Sequence, residues 1–71
     1  MENTIYVISF HYKDPENTML DELEYTNLQE AWKAMRIFTE PQSSEIYSRI
    51  DLLEVKFPTR IEKPISSLYF A

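Results

Sequence analysis

The chain has 71 residues, a net charge of -5, no cysteine and no glycine, with 44% apolar and 14% aromatic residues. That length predicts one small domain over residues 1–71. The composition excludes disulfides, thiolate chemistry, cysteine-held metals and the phosphate-cradling loops that need glycine for close backbone approach. Residues 1–30 carry seven acids against one base, whereas residues 31–71 carry five against six, an acidic bias that disfavours nucleic acid or an anionic membrane as a direct partner.

"MENTIYVISF" has no basic stretch leading into a long apolar core, and no apolar run approaches the roughly 18 residues of a membrane span. The expectation is a cytoplasmic protein that does not enter the membrane. Within this opening, "IYVISFHY" reads as a strand that is apolar on both sides. Tyr6, Ile8, Phe10 and Tyr12 share one face, and Ile5, Val7, Ser9 and His11 the other. "KDPENT" reads as a turn. "MLDELEY" then alternates Met19, Leu23 and Tyr25 against Leu20, Glu22 and Glu24, so residues 4–12 and 19–25 are expected to form a hairpin.

"TNLQEAWKAMRIFTEP" predicts a helix capped by Asn27, with Glu30 three residues on as a capping-box partner, or by Thr26 with Gln29. Leu28, Ala31, Trp32, Met35, Phe38 and Thr39 form its apolar stripe, and Pro41 ends it. Downstream, Leu53, Val55 and Phe57 alternate as a strand, but Ile46, Ile50 and Leu52 keep the opposite parity. One long strand from about Tyr47 would then need a bulge near Leu52–Leu53, and a short helical turn through Ile46, Tyr47 and Ile50 is the competing reading. "FPTR" reads as a turn and "IEKPISSLYF" as a last strand, with Pro64 marking an edge or an interruption. The predicted class is α+β, in the order β-β-α-β-β, with a mainly antiparallel sheet and one amphipathic helix on one face.

Candidate sites are few. The acids from Asp14 to Glu24 lack the glycine and ligand spacing of a calcium loop and read as a solvated acidic surface, with Asp14, Glu16, Glu22 and Glu24 its members. His11 is the sole histidine, which excludes a two-histidine metal site within one chain. The serines have no glycine-flanked nucleophile elbow, and the aromatics lack the surrounding bases of a nucleotide-stacking platform. No catalytic residue, cofactor or metal is expected. Ile37 falls on the far side of the helix, as a lone exposed isoleucine, a residue covered by the chain after Pro41, or a contact point.

The expected function turns on the second face of the first strand. One helix covers one face, which leaves Ile5, Val7 and Leu20 to be buried only by association, with a second copy of the chain as the simplest cover. The expectation is a non-enzymatic acidic interaction protein, a homodimer that binds another macromolecule through an apolar sheet face. Its candidate interface residues are Ile5, Val7, Leu20 and Ile37. The alternative is an acidic inhibitor whose hairpin, residues 14–24, imitates nucleic-acid phosphates and occupies the basic cleft of a nucleic-acid-binding protein.

Overall fold

Two long strands lie side by side at the centre of one antiparallel sheet, and neither follows the other in the chain. The computed structural model describes residues 3–14, 16, 21–39 and 43–70. The elements are β1 (Asn3–Tyr12), β2 (Asp21–Tyr25), α1 (Leu28–Ile37), a single turn α2 (Ser43–Ile46), β3 (Tyr47–Phe57) and β4 (Ile61–Tyr69), and the strand order is β2-β1-β3-β4. The class is therefore α+β with two hairpins flanking one main helix. Because β2 and β3 are both antiparallel to β1, they run parallel to each other on its two sides. The connection between them has to cross the sheet, and α1 makes that crossing on one face.

The register decides which side chains meet the helix. Tyr6, Ile8 and Phe10 stand opposite Tyr25, Leu23 and Asp21 on β2, and opposite Glu54, Leu52 and Ile50 on β3. The core under α1 consists of Ile8, Phe10, Ala31, Met35, Ile50 and Leu52, with Tyr6, Tyr25, Leu28, Ala34, Phe38, Tyr47, Ile65, Leu68 and Phe70 packed around it. Phe10 anchors one end, meeting the edge of Phe38 at 4.9 Å between ring centroids and the tilted ring of Tyr47 at 5.1 Å.

The helix begins as its sequence requires. Asn27 has extended backbone, and its side-chain oxygen accepts from Gln29 N at 2.8 Å, satisfying one of the unpaired first-turn donors. Its other end closes at Phe38 and Thr39, whose N–H groups donate to Met35 and Arg36 carbonyls. Pro41, expected to end the helix, lies outside the described residues.

Trp32 and Thr39 do not belong to the buried stripe. Trp32 is 39% exposed, and the buried positions are Ala31 and Met35. The physical reason is bulk. The sheet beneath α1 presents large side chains, so the closest approach goes to the small Ala31, and Trp32, about 100° further round, is displaced to the shoulder.

The third strand corrects a second expectation. β3 is continuous and its register with β1 is unbroken from Arg49 to Phe57, so no bulge interrupts it at Leu52–Leu53. Instead the apolar side changes: Ile50 and Leu52 point under the helix, and Leu53 and Val55 to the opposite face. The irregularity at this level belongs to β4, where Leu52 pairs Ser66 and Leu53 pairs Pro64, leaving Ile65 as the extra residue. Pro64 is thus both on an edge strand and beside an interruption, the two settings in which a strand tolerates proline. The strand begins at Tyr47 as expected, whereas the competing helical turn through Ile46, Tyr47 and Ile50 does not form: the single turn α2 ends at Ile46, and Tyr47 and Ile50 belong to β3.

With no glycine in the chain, the β3–β4 turn sets Arg60 in the left-handed region at φ 52.

Candidate functional site

The face of the sheet away from α1 is where the remaining apolar residues gather. The shortest extent is 14 Å, the thickness of one helix on one sheet, so among the described residues no third layer covers this side. Along β1 it carries Ile5, Val7, Ser9 and His11. The register sets Val55, Leu53, Asp51 and Arg49 beside them on β3, and Glu24 and Glu22 beside Val7 and Ser9 on β2. Strand alternation therefore divides this face into an apolar zone, a charged zone and an acidic edge.

The apolar zone is Ile5, Val7, Leu53 and Val55. Val7 is 5% exposed and Val55 2%, while Ile5 and Leu53 are half-buried. Association is thus not needed to bury Val7, contrary to the sequence expectation. Val7 lies on an inner strand, between Glu24 and Leu53 in the register, and its neighbours already shield it. Ile5 and Leu53 hold what apolar surface this zone still offers.

The charged zone centres on Asp51. His11 Nε2 is 3.0 Å from Asp51 Oδ2, and Ser67 Oγ donates to Oδ1 at 2.7 Å. Arg49 reaches both members, with Nη2 3.2 Å from His11 Nε2 and Nε 3.0 Å from Asp51 Oδ2. The Nε contact is close but poorly aligned, so this buried N–H makes no hydrogen bond and the pair is held by charge alone. Ser48 Oγ donates to the His11 carbonyl at 3.3 Å, and Ser9, directly opposite Asp51, is buried.

Chemically this is an ion cluster rather than a nucleophile with its base. The Ser67 hydroxyl is turned to the carboxylate, and His11 is occupied by Asp51 and Arg49. Among the described residues no three His, Asp or Glu side chains converge as a metal site would need. The cluster was missed in the sequence because its members are about 40 residues apart on strands whose register no local pattern fixes.

The other predicted residues are dispersed. Leu20 lies outside the described residues. Ile37 is 63% exposed on α1, on the opposite side of the sheet from Ile5 and Val7. Asp14, Glu16, Glu22 and Glu24 are all exposed, but only Glu22 and Glu24 border the open face. Asp14 and Glu16 belong to the loop after β1, where Asp14 Oδ1 accepts from Glu16 N at 2.9 Å.

On the helix side, Phe10, Asp21, Glu22, Leu23, Phe38 and Tyr47 line an open cleft of about 310 Å³. Beside it the Tyr12 hydroxyl donates to the Asp21 carboxylate, which, with partial burial, pushes the Tyr12 pKa up to about 12. No helix among the described residues is long and apolar enough to cross a membrane. Comparison with protein-family models, curated proteins and solved structures gave no match.

Proposed function

We propose that this protein is a non-enzymatic, cytoplasmic interaction protein that pairs with a second copy of itself through the open sheet face, and acts by binding another macromolecule. The observation that carries the reading is the composition of that face: half-buried Ile5 and Leu53 beside Val7 and Val55, with no layer above them among the described residues. Burying such side chains is worth about 25 cal/mol per Å², which a small disulfide-free domain can use.

Charge supports a second copy as the cover. The same face carries acids along β2, Glu22 and Glu24, and part-exposed cationic Arg49 beside His11 on the inner strands. A two-fold interface presents one patch to itself, so acids of one copy can meet Arg49 of the other while the apolar zones join.

The test is molar mass by light scattering, with circular dichroism on the same samples. Wild type should be a dimer at tens of micromolar, and Leu53→Lys a folded monomer, because an unpaired charge is costly in an apolar interface. Ile8→Lys, in the core under the helix, should abolish folding. A monomeric wild type at high concentration would remove the homodimer. The second reading, an acidic mimic of nucleic acid, is favoured by the exposure of Asp14, Glu16, Glu22 and Glu24 together. It predicts partner binding that weakens steeply with salt, where an apolar interface changes little.

A further inference from the structure

The outer shoulder of α1 has the makings of a second binding site, separate from the self-association proposed above. Gln29, Trp32, Lys33 and Arg36 succeed one another at helical spacing and line an open groove of about 320 Å³. Trp32, the only tryptophan in the chain, is 39% exposed here rather than buried. Among the described residues Lys33 and Arg36 have no carboxylate partner, although acids outnumber bases in the chain by 12 to 7. Among the described residues these two cations are therefore without a counter-charge, and both border the exposed Trp32 ring.

We propose that this groove docks a short acidic segment of a protein partner that carries a bulky apolar side chain. The apolar side chain covers the Trp32 ring, and the carboxylates meet Arg36 and Lys33, with Gln29 as a neutral donor. Tryptophan and arginine are the side chains that most often dominate binding surfaces, since each offers large contact area together with a directed polar group. Charge complementarity selects the occupant. A nucleic acid would want a longer track of bases than two, and its further phosphates would meet the acidic hairpin. A small molecule would need deeper enclosure than this open groove provides. A short acidic segment needs only the two cations present, and at physiological salt the acids elsewhere are largely screened beyond about 8 Å.

Because Trp32 is the sole tryptophan, its emission reports the site directly. The full chain is titrated with the end-blocked peptide Glu-Glu-Phe-Glu-Glu, with Gln-Gln-Phe-Gln-Gln and Glu-Glu-Ser-Glu-Glu as controls, and with a short oligothymidine. The expected result is a saturable blue shift with the first peptide. Each control should bind at least tenfold more weakly. Lys33→Gln with Arg36→Gln should weaken the first peptide by tenfold or more without altering the circular dichroism. Leu53→Lys should leave peptide binding unchanged, so this result is separable from loss of the dimer. Equal binding of the all-glutamine peptide, tighter binding of oligothymidine, an unaffected double variant, or no emission change at millimolar peptide would each overturn the proposal.

Discussion

At the scale of single residues, the most informative are two neighbours on α1. Ala31 is fully buried and Trp32 is not, though both fit one apolar stripe. Met35→Ala should therefore destabilise by about 2–5 kcal/mol, the range for a large buried side chain cut back to a methyl, whereas Trp32→Ala should cost under about 1 kcal/mol. Denaturant titration of both variants, followed by circular dichroism, checks this contrast. A loss at Trp32 as large as at Met35 would mean that the ring is held in the core. Tyr12 supplies a pH-dependent counterpart. Its hydroxyl, donating to Asp21, titrates near about 12 rather than 10. A raised folded-state value adds stability that is complete below the unfolded pKa and is lost as pH climbs through the folded one, here between about 10 and 12. Ultraviolet titration should find a tyrosine ionising late in that window, and Asp21→Asn should bring it back toward 10.

At the scale of elements, the start of the helix was legible because its cap is local: Asn27 holds the first turn in the predicted place. Its rotation was legible in part: Leu28, Ala31, Met35 and Phe38 pack on the core as expected, and Trp32 and Thr39 fall outside it because of the bulk of the facing sheet. β3 was half legible. Its alternation from Leu53 was plain, but the parity change read as a defect in the strand. It is instead the point at which the strand passes from helix cover to open face. Among the described residues, the turn before β4 is the one place where the absence of glycine leaves a trace. Arg60 at φ 52 bears the steric cost of the left-handed region, about 1–2 kcal/mol for a residue with a side chain. Arg60→Gly should raise stability by about 0.5–1 kcal/mol, the remainder being offset by glycine's greater freedom before folding. The exposed Arg60–Glu62 contact of 3.6 Å gives up little in exchange. Urea midpoints of the two proteins at equal m-value decide the matter.

At the scale of the whole molecule, the α+β class and element order could be read from the sequence, but the strand order could not. The open face inherits that limit. Ile5 and Val7 could be placed on it from alternation alone, whereas Leu53, Arg49 and Asp51 joined them only through the β1–β3 register. If self-association covers this face, folding and pairing are linked by mass action, and the melting temperature should climb with protein concentration. Differential scanning calorimetry across a hundredfold range of wild-type concentration tests this, with Leu53→Lys expected to melt at one temperature throughout.

The central place of β1 has a bearing on how the chain emerges from the ribosome. β1 is flanked on one side by β2 and on the other by β3, whose last paired residue is Phe57. Until that segment is synthesised, β1 has only the five-residue β2 beside it in the sheet, and its other edge is unpaired. Ile8 and Phe10 can then meet Ala31 and Met35 of α1 but still lack Ile50 and Leu52 beside them, so this core is incomplete until β3 is made. A stop placed ahead of β3 should leave a fragment open to proteases, because Ile50 and Leu52 are then missing from the core.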